Sequence, residues 1–324
     1  MGVAVLTPIS TLFFQYLSKI GVDCVCIPPR FKCWGDLPQC VAVWLLVGRY
    51  KLCQDECLGD VAEVCEGVAI LKKGGAARCG WRLAKSCEKP REVGFTPPET
   101  PRIIIDLSLW HEHTPGERHE LVEQILETLR VVRRYLWDGS LWISNAPEEF
   151  LQLLDLHARG LVHKMKILGG APSFEKPVVL DPEGPCLLTE EVAYAYKEFV
   201  IGGIVDKERT AKSGTRRLAE LLRIETRCRI ELRGSKIGVP DRINKIAEII
   251  LRTLAGSSLE KAILATQAKR DRVYRLMWEI QRRARRRPDG LLVITREELA
   301  EANWMGAPLS EVELALKKTR VVVA

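Results

Sequence analysis

From Arg102 to Leu254 the chain repeats one pattern, a short apolar run, a turn, and then a stretch with apolar residues at helical spacing. Arg102–Leu109 (RIIIDLSL) reads as a strand, and Glu117–Trp137 as a helix with leucines and valines three or four residues apart. Gly139-Ser140 breaks that helix. Leu141–Ser144 reads as a strand, Pro147–Arg159 as a helix and Pro177–Leu180 as a strand. Thr189 caps a short helix with Glu190 and Glu191 in its first turn. There follow a strand over Phe199–Val205, a helix from its cap at Ser213 to Leu222, and a strand over Cys228–Leu232. A long amphipathic helix over Asp241–Leu254 stops at Gly256. Strands alternating with helices in this way predict a mostly parallel α/β sheet with helices on both faces.

The flanks have a different character. Phe95-Thr-Pro-Pro-Glu-Thr-Pro101 is a proline-rich linker. Before it, Gln39–Val47 and Gly59–Leu71 are short apolar stretches that suggest a small α/β domain. After Ser258, Leu259–Arg287 reads as one or two basic helices and Pro288-Asp-Gly290 as a turn. Leu291–Ile294 reads as a strand and Thr295 as the cap of a further helix, and the chain closes on Val321–Val323. A chain of 324 residues exceeds what one compact domain usually needs. The expected layout is an N-terminal accessory domain over residues 1–98, a central domain over 99–257 and a basic, mainly helical C-terminal domain over 258–324. No internal repeat is present.

Nine of the eleven cysteines fall in the N-terminal region, from Cys24 to Cys87. Asn is scarce while Lys, Arg and Glu are plentiful, a thermophile-like composition, and intracellular disulfides are a known exception in hyperthermophiles. Cys53-x-x-x-Cys57 has ligand-like spacing for zinc, but no second tight pair and no His accompany it. Disulfides therefore rank first, buried thiols second and zinc third, all of them structural, and no catalytic metal is expected. No stretch is long and apolar enough to cross a bilayer. Met1–Ile20 is mildly apolar without a basic leader and does not resemble a signal peptide, so a cytoplasmic location is expected. The net charge is +7. Its excess gathers between Lys207 and Arg287 and ends in Arg282, Arg283, Arg285, Arg286 and Arg287, a field that attracts phosphate backbones unless it is only a solvated helix face.

Ligands of open α/β sheets bind outside the carboxyl ends of the strands. Three such ends combine glycine with a change of direction: Asp181-Pro-Glu-Gly184, Gly202-Gly203-Ile-Val-Asp206, and Leu232 to Pro240 (LRGSKIGVP). The dinucleotide, P-loop and nucleophile-elbow fingerprints are absent. His111 and His113 follow a strand and read as surface-loop residues. A double glycine weakens a strand, so a ligand or a close chain crossing must need the space.

Phe199–Lys207 (FVIGGIVDK) and Glu231–Leu251 (ELRGSKIGVPDRINKIAEIIL) resemble the tRNA purine-nine N1-methyltransferases, a branch of the SPOUT superfamily. Ile103–Leu107 (IIIDL), Tyr135–Gly139 (YLWDG) and Val178–Gly184 (VVLDPEG) add to the match in the same order, over about Pro101 to Gly256. The archaeal members are the nearest in appearance, and the cysteine pattern is no part of the signature. The resemblance implies a SPOUT fold whose C-terminal strands thread a deep trefoil knot, exceptional among proteins. It also implies S-adenosylmethionine held by three loops, a tRNA substrate and a working monomer.

On this resemblance Asp206 is the first candidate for chemistry, as a base toward guanine N1 or as a stabiliser of the cation formed at adenine N1. The alternative is an ion pair with Lys207, Arg209 or Arg242. Asp106 and Gln124 match polar positions near the target base. Asp106 lies in an apolar strand, where an unpaired charge is costly, so a hydrogen-bonded structural role competes with a functional one. Leu180, Asp181, Gly184, Gly202, Gly203, Ile230, Leu232, Gly234, Ile237 and Asn244 form the implied cofactor set. Arg209, Lys212, Arg216, Arg233, Lys236, Arg282 and Arg283 form the implied RNA set, with Arg217 beside them. The expected reaction is N1-methylation of purine 9, adenine ahead of guanine. The alternatives are guanine or dual specificity, a SPOUT enzyme acting elsewhere on RNA, and an RNA-binding protein without catalysis.

Overall fold

The computed structural model describes residues 6–205 and 214–324. The N-terminal segment contains α1 (Ile9–Lys19), β1 (Cys24–Ile27), α2 (Leu37–Leu46), β2 (Lys51–Cys65), β3 (Val68–Lys73), β4 (Ala77–Ala84) and β5 (Pro90–Arg91). Strand β2 is long and bent, pairing its first part with β4 and its second with β3. Strand β1 joins β3 and β4 on the other side, so the sheet closes on itself. The bend centres on Gly59, where an added Cβ would lie 2.5 Å from the Lys72 carbonyl oxygen. Helices α1 and α2 bury Phe13, Phe14, Leu17, Val41 and Val43 against this sheet.

Disulfides join Cys24 to Cys79, Cys26 to Cys57, Cys33 to Cys40 and Cys53 to Cys87. The sulfurs of Cys26, Cys57 and Cys79 converge as a metal site would require, but all are already bonded in pairs. A fifth bridge, Cys186–Cys228, staples two parallel strands of the central sheet, and Cys65 is free.

The central segment runs β6 (Arg102–Asp106), α3 (Pro115–Val132), β7 (Leu141–Ser144), α4 (Glu148–His157), β8 (Lys166–Ile167), β9 (Pro177–Leu180) and β10 (Cys186–Leu187). It continues with α5 (Glu190–Ala195), β11 (Glu198–Gly202), α6 (Gly214–Leu222), β12 (Arg227–Arg229) and α7 (Ile243–Leu254). The seven strands form one sheet in the order β10-β12-β9-β11-β6-β7-β8, and every pairing is parallel. Alternate residues face opposite sides. Ile103, Ile105, Val178, Leu180, Phe199 and Ile201 pack with α3, α4 and α7. Ile104, Val179 and Val200 pack with Leu218 and Leu222 of α6. Helices thus lie on both faces, as the alternation predicts.

Several elements end differently from the pattern. Helix α3 starts earlier than Glu117, because Thr114 and Glu117 form a reciprocal cap with Pro115 at the first turn, and it stops at Val132. Strand β6 stops at Asp106, whose carboxylate turns back to accept the Ser108 N–H. Strands β11 and β12 end at Gly202 and Arg229, short of Val205 and Leu232, where the chain leaves the sheet for loops.

The C-terminal segment contains α8 (Leu259–Thr266), α9 (Lys269–Arg283), β13 (Arg285–Arg286), β14 (Leu292–Ile294), α10 (Arg296–Ala302), α11 (Leu309–Thr319) and β15 (Val321–Val323). Helix α8 packs Leu259, Ala262 and Ile263 into the core of the central sheet. The remainder has its own core around Leu276, Ile280, Ile294 and Ala315. Among the described residues no helix is long and apolar enough to cross a membrane.

Cys24–Cys79 and Cys53–Cys87 close loops of 55 and 34 residues. Constraints of that size are worth about 2–4 kcal/mol each. Peptide mapping without reductant should recover the five pairs, and iodoacetamide should mark Cys65 alone. Denaturation in reductant should show a large loss of stability, and an unchanged midpoint would disprove the staple role.

Candidate cofactor and RNA-binding site

Because β12, β9, β11 and β6 are parallel neighbours, the loops after them emerge at one edge of the sheet. The loop after β9 opens at Asp181, which is buried. Its Oδ1 accepts from the Glu183 N–H at 2.9 Å, and its Oδ2 from Arg227 Nη1 at 2.6 Å. Gly184 lies so near β12 that a Cβ would sit 2.7 Å from the Arg227 carbonyl oxygen. The loop after β11 opens at the double glycine. Gly203 N–H donates to the Asp106 carbonyl at 2.8 Å, and a Cβ there would lie 2.6 Å from Leu107 Cδ2. In the loop after β12, Leu232 and Ser235 exchange backbone hydrogen bonds. Arg233 and Gly234 adopt φ of 47° and 72°. Ile230 and Leu232 are buried while Ile237 is exposed. Lys236 of this loop pairs with Glu183 of the first.

Among the described residues, several polar side chains of the edge have definite partners, while the Oδ1 of Asn244 and the Oε1 of Gln267, whose Nε2 holds the Gly238 carbonyl, have none. Asp106 is 0% exposed. Its Oδ2 accepts from Ser144 Oγ at 2.7 Å and from Asn145 Nδ2 at 2.6 Å. These bonds tie the ends of β6 and β7 together and satisfy a buried carboxylate. Gln124 is buried too. Its Oε1 accepts the Ile243 N–H at 3.0 Å, supplying the first turn of α7 with the cap that Arg242 does not provide. Asn244 is 8% exposed, and its Oδ1 has no hydrogen-bond partner among the described residues. A buried amide oxygen left bare costs about 1–3 kcal/mol.

Asp206, Arg209 and Lys212 lie outside the described residues, as does the Ser213 cap. The segment leading to Asp206 is anchored by a residue that sequence reasoning placed in a surface loop. His113 is buried, not surface-exposed. Its Nε2 accepts the Val205 N–H at 3.0 Å, and its Nδ1 lies 3.2 Å from the Trp110 carbonyl. This pair of partners fixes the neutral Nδ1–H tautomer. A single His-x-His motif could not reveal a partner 92 residues away.

The implied RNA-binding cations among the described residues are engaged with carboxylates. Arg216 pairs with Glu220, and Arg217 with Glu112. Arg233 pairs with Glu260 and stacks on Trp304 at 3.6 Å. Arg282 and Arg283 both reach Glu279. Arg242 reaches Glu127 at 3.6 Å.

The chain is 33% identical over 276 residues to the tRNA (adenine(9)-N1)-methyltransferase of Sulfolobus acidocaldarius, covering 84% of this chain and 89% of that protein. The crystal structure of Sulfolobus acidocaldarius Trm10 in complex with S-adenosylhomocysteine aligns with a TM-score of 0.74 at 28% identity. That alignment takes in 96% of this chain and 99% of the other. This chain belongs to the Trm10 family of tRNA N1-methyltransferases. A second relative, the tRNA (guanine(9)-/adenine(9)-N1)-methyltransferase of Thermococcus kodakarensis, is 34% identical over 209 residues, 61% of this chain and 55% of that protein. No family model matches. The alignment with the Sulfolobus Trm10 structure extends beyond the central sheet into the flanking segments, so the disulfide-bonded N-terminal part sits on a framework shared with a relative.

His113→Phe keeps the ring volume but leaves the Val205 N–H bare. The expected loss is about 1–3 kcal/mol in urea denaturation. A loss below about 0.3 kcal/mol would show that the His113–Val205 bond does not hold this Trm10 loop.

Proposed function

We propose that the chain transfers a methyl group from S-adenosylmethionine to N1 of the purine at position 9 of tRNA, with adenine preferred. The observation that carries this reading is the set of glycine loops that leave the parallel sheet at one edge, with the buried Asn244 in the first turn of α7, the helix that follows the last of them. The same edge occurs in a chain that aligns throughout with an S-adenosylhomocysteine-bound Trm10. The preference for adenine rests on the longer match to the adenine-9 enzyme.

The residues present suit this cofactor. The loops at 181–184, 202–203 and 230–244 offer backbone N–H and carbonyl groups, and Gly184 and Gly203 let chains approach where no Cβ fits. We assign Leu180, Asp181, Gly184, Gly202, Gly203, Ile230, Leu232, Gly234, Ile237 and Asn244 to the cofactor. We infer that the segment from β9 to α7 threads as a trefoil knot, which the close crossing at Gly184 favours. The domains assigned are 1–98, 99–257 and 258–324. The protein is assigned as a cytoplasmic monomer.

Once bound, the cofactor supplies an electrophilic methyl group on a sulfonium centre. Asp206, four residues beyond Gly202, is assigned to the acceptor base. Guanine N1 carries a proton that this carboxylate would accept. Adenine N1 has a free lone pair, so the carboxylate would instead offset the positive charge that methylation creates. Asp106 and Gln124 act behind the acceptor, holding strand ends and the start of α7. Arg209, Lys212, Arg216, Arg233, Lys236, Arg282 and Arg283 are assigned to phosphates, and those with carboxylate partners would exchange them on binding. The base must leave the tRNA core to expose N1.

The test incubates the purified protein with S-adenosylmethionine and unmodified tRNA transcripts carrying A or G at position 9, and maps the methyl group by mass spectrometry. Methyl on N1 of adenine 9, faster than on guanine 9, is expected. Methyl elsewhere discards the target, and none on any transcript leaves an RNA-binding protein. Asp206→Asn should slow transfer by about 10²–10⁴-fold while cofactor affinity stays near wild type. Equal rates for the two proteins across a pH series would remove Asp206 from the chemistry.

A further inference from the structure

The C-terminal segment grips the loop after β12 through one buried charge. Arg275 on α9 is 1% exposed and heads the largest fully buried side chains. Its Nη1 donates to the carbonyl oxygens of Leu232 at 2.6 Å and Ile237 at 3.2 Å. Its Nε and Nη2 donate to Glu279 Oε1 at 3.0 and 2.7 Å. The loop therefore hangs from a single guanidinium at two points five residues apart. Gly238, at φ 85°, lies against the same side chain, and a Cβ there would come within 2.7 Å of Arg275 Cβ. Gln267 Nε2 adds a bond to the Gly238 carbonyl at 2.7 Å.

Burial of this kind is expensive, and replacing a buried ion pair with apolar residues is often neutral or stabilising. Packing alone thus gives no reason for an arginine here. What its planar fork adds is direction, because two loop carbonyls and a carboxylate are held in one plane of donors. Glu279 is itself fixed by Trp304 Nε1 at 3.1 Å and by Arg283. Burial pushes its carboxyl up, but the hydrogen bonds from Arg283, Trp304 and Arg275 outweigh that and hold it below the ordinary value of 4.5. The anchor is ionised and rigid.

We propose that Arg275 is a positioning residue for the cofactor loop, fixing Leu232–Gly238 in the shape that receives S-adenosylmethionine, so that the C-terminal segment sets cofactor affinity. This rests on the assignment of the loop to the cofactor. A purely structural arginine would affect folding alone, whereas a positioning arginine shifts KM for the cofactor more than kcat.

The test uses the full-length chain, with calorimetric titration of S-adenosylmethionine and steady-state kinetics on tRNA transcripts. Arg275→Met should raise Kd and KM for the cofactor about tenfold or more, the size of one charge-assisted hydrogen bond, with kcat at saturation within about threefold. The double variant Arg275→Met/Glu279→Leu also removes the carboxylate, which Arg283 and Trp304 would otherwise still hold in a buried place, so it should recover part of the melting temperature without recovering affinity. It also carries the test should the single variant not fold. Ile294→Ala hollows the C-terminal core, whose members all lie outside the loop, and should lower melting temperature while leaving KM unchanged. The proposal is overturned if the Arg275 variants bind the cofactor within twofold of wild type, or if affinity returns together with melting temperature in the double variant. A wild-type chain that binds no S-adenosylmethionine would instead overturn the cofactor reading itself.

Discussion

The approach of backbone to backbone at Gly184 is the constraint on which the candidate site depends. There the loop after β9 passes β12 with no room for a Cβ, the Arg227 carbonyl being 2.7 Å from where one would stand. The Asp181–Arg227 ion pair and the Cys186–Cys228 bridge tie the same two segments on either side of that contact. A second contact of this kind, Gly203 on the Asp106 carbonyl, joins the loop after β11 to β6. Neighbouring parallel strands can release their chains at one edge in many ways. These two glycines let the loops lie against neighbouring strands where no Cβ would fit, and loops gathered at the carboxyl edge of a parallel sheet are where ligands bind.

Once the backbones are close, their polar groups must be accounted for. Asp106 spends its carboxylate on Ser108, Ser144 and Asn145. Gln124 Oε1 accepts from the Ile243 N–H, and His113 Nε2 from the Val205 N–H. Each of these side chains accepts from a main-chain N–H, and Asp106 from two side chains besides. Against this background the bare Oδ1 of Asn244 and Oε1 of Gln267 are the buried acceptors left for a ligand or water to meet.

Much of this was legible in the residues and part of it was not. The alternation of strands with helices gave away a sheet covered on both faces, and Thr189 marked a helix start because capping is local, while the Thr114–Glu117 cap three residues ahead of the expected start of α3 went unread. The glycine pairs announced a need for space. Strand ends were overrun at Val205 and Leu232 because β-branched and aliphatic residues continue past the point where the ladder stops, and composition does not record hydrogen-bond partners. Cysteine pairing has many solutions for one set of positions, so Cys24–Cys79 and Cys53–Cys87 needed the closed sheet to be seen. His113 was misplaced in a surface loop, and Asn145 and Arg275 went unnamed, for a common reason. Their roles are tertiary hydrogen bonds to residues 92, 39 and 43 positions away.

The two flanking segments dock on the central one by the same device. Gln39 of α2 donates to the carbonyls of Arg133 and Leu136 at 3.0 and 2.8 Å, just past the end of α3. Arg275 of α9 donates to those of Leu232 and Ile237 in the loop after β12. In each case a buried side chain satisfies backbone acceptors that a helix end or a loop leaves open. Apolar contact would hold the segments together but would tolerate sliding, because burial has no preferred direction. A buried donor tolerates none, since a displacement of an ångström leaves two carbonyls and the donor bare at once. The N-terminal attachment reaches the backbone at the end of α3, the helix whose Gln124 caps α7, and the C-terminal attachment reaches the loop that precedes α7. Both flanks thus act on the frame around Asn244, one through a helix and the other directly.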